Sequence, residues 1–200
     1  MPARLTVHPD PYEAPLNRVR WTRRQCDAMR EAGFLTGRYE LIDGEILNKM
    51  GQKPAHAYVI NRLMAWLISI FGADFLRIQL TIDLSATSPD YDEPDPGVVV
   101  TAQSYGSYWD RHPDPQDLLL LIEVSDATLR FDQTTKAALY ARAGIAEYWI
   151  MDLVGRRAIV HRQPAPEGYV EVIAYGNDET VRSLARPDAS VRISDLLPPV

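Results

Sequence analysis

Two carboxylates and one amine have the settings that hydrolytic chemistry requires. Glu123 lies inside Leu118-Leu119-Leu120-Leu121-Ile122-Glu123-Val124, the most apolar strand-like run of the chain. A lone carboxylate buried there is costly and must neutralise or find a cation. Asp95 stands at the mouth of a second apolar run, Val98-Val99-Val100. Two carboxylates at the ends of neighbouring strands can share one hard divalent ion through oxygen ligands, the usual way of holding magnesium. Pairing with an arginine, or a strand end in water, would satisfy Glu123 as well. Lys136 is one of three lysines, with Lys49 and Lys53, in a chain of eighteen arginines. By spacings of seven and four it shares a helix face with Leu129, Asp132 and Tyr140, beside the face that packs on the sheet. Its amine can orient an attacking water and stabilise charge on a phosphate transition state. On an exposed helix it would form only an Asp132–Lys136 pair. His56, one turn before Ile60, has the setting of a capped or core-edge histidine more than that of a ligand or base.

Other chemistries drop out. His8, His56, His112 and His161 show no metal-ligand spacing. Ser85 and Ser125 lack a nucleophile elbow, and there is no Gly-rich phosphate loop. Cys26 is the single cysteine, so an internal disulfide and a Cys-based zinc site are ruled out.

These residues need elements to position them. Four prolines in residues 1–20 predict an irregular arm, followed by one domain over residues 21–200. Thr22 can cap a short helix to about Glu31, which Gly33 ends. Asp43-Gly44 between two β-rich runs, Tyr39–Ile42 and Glu45–Leu47, predicts a tight hairpin in which Glu40 and Glu45 oppose each other. Pro54 opens a helix whose apolar residues recur at helical spacing to Phe71, with Gly72 as its stop. Alternation from Phe75 to Leu84 predicts a half-buried strand, and residues 85–96 a polar loop. The runs Val98–Val100 and Leu118–Val124 predict strands covered on both faces. Asp126 or Thr128 can cap a helix to about Ala143, with Gly144 beyond it. Strands follow over Glu147–Leu153, Arg157–Arg162, Tyr169–Tyr175 and Thr180–Leu184. The pattern is an α/β fold with a mixed central sheet flanked by helices.

Two hundred residues at 46% hydrophobic and 24% charged support one packed core. No apolar run approaches the roughly 20 residues of a membrane span, and no secretory leader is apparent, so a cytoplasmic protein is expected. The net charge of −6 argues against coating nucleic acid by bulk charge. It is unevenly spread. Ten acids face one base between Asp83 and Asp126, whereas seven arginines face four acids between Met1 and Arg38. This suggests a cation-holding region and a separate anion-facing one, unless both are simply solvated surface.

Taken together, Tyr39-Glu40-Leu41-Ile42-Asp43-Gly44-Glu45, His56 opening a helix, Pro94-Asp95 before a valine strand, Leu120-Leu121-Ile122-Glu123-Val124-Ser125, Asp132 with Lys136, and Tyr140-Ala141-Arg142-Ala143-Gly144-Ile145-Ala146-Glu147-Tyr148-Trp149 resemble the Uma family of putative restriction endonucleases, in the PD-(D/E)XK nuclease superfamily. The resemblance runs from near Arg23 to about Leu197. It implies a restriction-endonuclease-like fold and Mg²⁺-dependent hydrolysis of DNA phosphodiester bonds, with Mn²⁺ as a substitute ion. Asp95 and Glu123 would hold the metal with the carbonyl of Val124, joined by Glu40 as an auxiliary acid. The superfamily lysine usually sits two residues after the second acid, where this chain has Ser125; Lys136 would supply the amine from the next helix. Pro96-Gly97 after Asp95, and Asp126 in place of a more common proline, depart from the family pattern. Arg18, Arg20, Arg23 and Arg24 would contact the phosphate backbone. A homodimer is expected from the need to cut two strands and from apolar candidates Trp66, Tyr105, Tyr108 and Trp109. The alternatives are an inactive nucleic-acid-binding or regulatory module on the same fold, or an acidic loop that binds a basic partner.

Overall fold

A computed structural model describes residues 19–49, 51–88 and 90–199. Most of the expected arm, with Arg18 and His8, lies outside the described residues. In chain order the elements are α1 (Arg23–Glu31), β1 (Tyr39–Ile42), β2 (Glu45–Asn48), α2 (Pro54–Phe71), β3 (Leu76–Ile78), β4 (Val98–Thr101), β5 (Leu118–Ser125), α3 (Leu129–Phe131), α4 (Ala137–Arg142), β6 (Glu147–Asp152), β7 (Arg157–Ala165), β8 (Gly168–Gly176), β9 (Thr180–Ser183), β10 (Arg186–Arg192) and α5 (Ile193–Leu196). A π turn, Asp132–Lys136, joins α3 to α4.

Six strands form the central sheet in the order β3-β4-β5-β6-β7-β8, with only β5 and β6 parallel. The parallel pair needs a crossover, and α3, the π turn and α4 provide it. Period-two alternation along β5 then decides what each face receives. Leu120, Ile122 and Val124 join one core with Val59, Ile60, Leu63 and Leu67 of α2. Those four α2 side chains, each no more than 6% exposed, contribute about 6–12 kcal/mol of transfer free energy. Trp66 stacks on Trp149 with ring centres 5.9 Å apart. Leu121 joins the opposite core with Ala137, Leu139 and Tyr140 of α4. Glu123 and Ser125 share that parity, so both fall beneath the crossover.

Capping follows the sequence. The Thr22 side chain accepts from the Gln25 backbone and Gln25 returns the contact, a reciprocal box that starts α1. Pro54 opens α2, and Gly72 ends it at φ +90°.

Several expectations are corrected. Glu40 opposes Leu47, and Glu45 opposes Ile42, so the two acids are not partners: Glu40 is buried and Glu45 exposed. The strand expected over Phe75–Leu84 stops at Ile78. Gln79 turns to φ +51° and its amide bonds to Gly97 O. Leu80 faces solvent, while Ile82 and Leu84 bury in the second core. β10 and α5 were not expected; Pro187 argues against a strand, yet β10 pairs with β9 through a register irregularity. Thr128 occupies the cap position of α3, but its hydroxyl bonds to Asp132 Oδ2 at 2.7 Å, not to a helix amide. Tyr108 is buried, whereas Trp109 is 82% exposed, so only some of the apolar interface candidates are available.

Gly97 sits where β4 meets β5. A Cβ there would lie 3.0 Å from Ile122 O and 3.4 Å from Ile60 Cδ1. Gly97→Ala is expected to destabilise the fold by about 1–3 kcal/mol. Urea unfolding checks this: a lowered midpoint at unchanged m is the expected result, and an unmoved midpoint would contradict it.

Candidate active site

The hairpin and the loop before β4 are stitched together by backbone bonds. Leu41 and Glu93 exchange N–H···O bonds of 3.3 and 2.7 Å, and Gly44 N donates to Tyr91 O. This pairing places Glu40 of β1 beside Asp95, whose amide donates to Glu40 Oε1 at 3.1 Å. From the other side, β5 brings Glu123, and Gly97 N donates to its Oε2 at 3.2 Å. The Asp95–Gly97 segment thus ties both glutamates with backbone amides.

Lys136 descends from the π turn between them. Its Nζ lies 2.7 Å from Glu123 Oε1 and 2.9 Å from Glu40 Oε2, and the residue is 5% exposed. Asp132 Oδ1 stands 4.0 Å from the amine. Asp132 itself is anchored by Ser125 Oγ and Thr128 Oγ1. Tyr140, one turn further, donates its hydroxyl to Glu123 Oε1 at 3.1 Å. Lys136 is thus buried, as expected of a residue bordering the face that packs on the sheet, and its pair with Asp132 is the longest of its ion pairs.

Burial is the largest influence on each charge. It pushes the Glu123 carboxyl up to about 7, partly offset by Lys136. Glu40 feels the same push, but Lys136 and Lys49 together outweigh it and hold the carboxyl below its ordinary value. Burial also works against the Lys136 ammonium, yet Glu123, Glu40 and Asp132 raise it overall and keep it protonated. Tyr140, buried beside Glu123, is pushed well above its usual value and stays a neutral donor. His56 is pulled down by burial and by Lys49, against opposing pulls from Asp126, Asp132 and the Val124 backbone. Its Nδ1 is buried without a partner.

Two cations of this cluster were not anticipated. Lys49 Nζ lies 2.9 Å from Glu40 Oε1 and 3.4 Å from Asp95 Oδ2, and it bonds Asp95 O. Arg38 bonds Asp95 Oδ2 and Gln79 O. The scarcity of lysine that singled out Lys136 would have found Lys49 as well. Tyr140 shared the helix face already noted, while Arg38 carried no local signal. Asp126 is met by Lys53 at 2.6 Å. A cleft of about 590 Å³ opens over the cluster, lined by Arg38, Glu40, Lys49, His56, Glu123, Val124 and Lys136 among others.

The charge-rich segments turn out to be partly internal. Arg20 pairs with Asp43 and lies over the Tyr91 ring at 4.1 Å, and Arg23 reaches Asp83 at 3.4 Å. Asp92 is buried and accepts from Asp43 N and Ser88 Oγ.

The family model described as "Uma2: Putative restriction endonuclease" matches residues 34–194. A crystal structure of a putative nuclease belonging to DUF820 from Anabaena variabilis ATCC 29413 has a similar fold, with a TM-score of 0.60 and 15% identity, over 84% of this chain and 96% of that one. No curated protein matches the sequence. With the family match spanning the hairpin, both strand-end acids and the crossover lysine, the chain belongs to the Uma2 family of putative restriction endonucleases.

Proposed function

We propose that the chain is a Mg²⁺-dependent endonuclease that hydrolyses DNA phosphodiester bonds. The observation that carries this reading is the buried junction of Lys136 with Glu40 and Glu123 at the floor of an open cleft. The donor chemistry fits a hard ion. Asp95 Oδ1 is buried with no hydrogen-bond partner, and carboxylate and carbonyl oxygens are the ligands such an ion takes. Among the described residues no three His, Cys, Asp or Glu side chains form a ligand group. Glu40, Asp95 and Glu123 thus do not meet as the three-acid ligand set the resemblance implies, and the proposed ion would rest on two carboxylates, its other positions left to carbonyl and water. Asp95, Glu123 and the Val124 carbonyl would hold the ion, with Glu40 beside them and Mn²⁺ as a substitute. When bound, the ion would stabilise charge developing on phosphate oxygen.

The chain's own residues do the rest. Tyr140 and Gly97 N–H fix the direction of the Glu123 carboxylate. Glu40 holds Lys136 and Lys49 in place. Lys136, kept protonated by its neighbours, supplies a fixed positive charge for an anionic transition state at no reorganisation cost. A homodimer would present two such sites to two strands. No helix among the described residues is long and apolar enough to cross a membrane.

One observation favours a second reading. Glu40, Asp95 and Glu123 already have Lys49, Arg38 and Lys136 as partners, so the cluster is charge-balanced without metal, as a binding module on this fold would be. Cleavage of supercoiled plasmid and single-stranded DNA in Mg²⁺ or Mn²⁺ distinguishes the two. Cutting that a chelator stops is the expected result; salt-sensitive DNA binding with no cutting in either ion would favour the module.

A further inference from the structure

The three cations of the cluster differ in kind. Lys136 is enclosed between Glu40 and Glu123. Lys49 and Arg38 line the cleft with it but are more exposed, their side chains at 25% and 54% against 6% for Lys136. Asp95 does not line it, and its side chain is 10% exposed. Both cations reach Asp95 Oδ2, Arg38 by a hydrogen bond and Lys49 at 3.4 Å. The other oxygen, Oδ1, has no partner at all. One carboxylate therefore has one oxygen faced by two cations that line the cleft, Lys49 being tied to Glu40 as well, and one oxygen that is buried without a hydrogen-bond partner.

A divalent ion approaching Asp95 meets like charge from Arg38 and Lys49, which weakens its binding. Both side chains are also suited to phosphate, the guanidinium through its planar fork and the ammonium as a point charge on a flexible stem. A phosphate backbone laid in the cleft competes with Asp95 for them. If it wins, Asp95 loses its counter-ions and becomes a better ligand. Gln79 gives Arg38 a fixed pivot, accepting through its side chain and its backbone carbonyl at 3.2 Å each.

We infer that Arg38 and Lys49 are displaceable counter-ions of Asp95, drawn off by backbone phosphate so that divalent-ion binding and DNA binding reinforce each other. The inference rests on the metal-nuclease reading above. Linkage makes the effect reciprocal: the factor by which DNA tightens the ion is the factor by which the ion tightens DNA.

Mn²⁺ binding to the full chain, followed by electron paramagnetic resonance of the free ion at constant ionic strength, tests it. Titrations are run with and without a short phosphorothioate duplex that resists cleavage. The duplex is expected to tighten Mn²⁺ about tenfold in the native protein. Lys49→Met and Arg38→Met should each bind Mn²⁺ several-fold to about tenfold more tightly without DNA, and lose most of the duplex effect. Arg38 is half exposed, so its variant keeps the test open should Lys49→Met fail to fold. Lys53→Met is the control for bulk charge, since Lys53 pairs with Asp126 and not Asp95, and it should change Mn²⁺ affinity less than about twofold. Native affinity in both Asp95-facing variants would overturn the inference while leaving the nuclease reading intact. Equal tightening by Lys53→Met would overturn it too, as a bulk effect. If no protein binds Mn²⁺ with or without DNA, the metal reading falls and the inference with it.

Discussion

Glu123→Gln is expected to lower plasmid cleavage by at least about 10²–10³-fold and to remove one pH-dependent contribution to the stability of the metal-free protein. Both halves follow from one carboxylate. Glutamine keeps the shape, but its single carbonyl oxygen can accept from only one of Tyr140 and Gly97, which donate to different oxygens of Glu123, and it removes a charged oxygen ligand from the proposed ion. On the stability side, folded Glu123 holds its proton up to about 7, against 4.5 for the ordinary residue. Between those values the folded state binds more protons than the unfolded one. Stability therefore falls as pH rises through that window, by up to about 1.4 kcal/mol per pH unit from this group. Glu40, held below its ordinary value, has its effect on the acid side of 4.5 and does not mask the slope. His56, His112 and His161, all held below their ordinary value by burial, slope the opposite way in both proteins, so urea titrations of metal-free protein between about pH 5 and 7 should show native stability falling relative to that of Glu123→Gln. Cleavage by the variant at the native rate would remove Glu123 from the site.

Lys136→Met is expected to be the most destabilising single substitution in the cluster. The amine is 5% exposed and touches two buried carboxylates. Removing one partner of such a pair leaves uncompensated charge, at a cost of about 3–5 kcal/mol. For a chain of this size that is a fall in Tm on the order of 10 °C. Glu40 keeps Lys49 at 2.9 Å, so most of the penalty falls on Glu123. Glu123→Gln/Lys136→Met should then be more stable than Lys136→Met alone. A double-mutant cycle by urea unfolding measures the coupling; additive effects would mean that the two groups do not depend on each other in the folded state.

The legible parts of the fold were those with a local signal. Asp43-Gly44 marked the hairpin, Pro54 and Gly72 bracketed α2, and continuous apolar runs marked β4 and β5. The crossover lysine was legible through the rarity of its type and through its helical neighbours Asp132 and Tyr140. What stayed hidden depends on distant chain. Gln79 adopts a left-handed conformation because its amide and carbonyl are engaged by Gly97 and Arg38. Neither partner is visible in a window around it, and alternation alone carried the strand too far. Pro187 obscured β10 because its register with β9 is irregular. Arg38 meets Asp95 across 57 positions and Lys49 meets it across 46. A carboxylate's need for a cation can be read from its surroundings in sequence, but not which cation answers it.

The π turn has a consequence of its own. Asp132 looks back to Ser125 and Thr128, whereas Lys136 and Tyr140 look across to Glu123. Each residue advances a helix by about 100°, and a π turn carries one residue more than the α-helix would. The two halves of the crossover are thus set in different rotational phases by a one-residue insertion. Loss of exposed Gln133 would keep every side chain of the proposed site in the sequence, yet it would rotate one half against the other, so the two sets of contacts could not both survive. The inheritable unit is the lysine together with its phase. A relative that aligns a lysine here without the extra residue would carry the same letter on a different face of its helix.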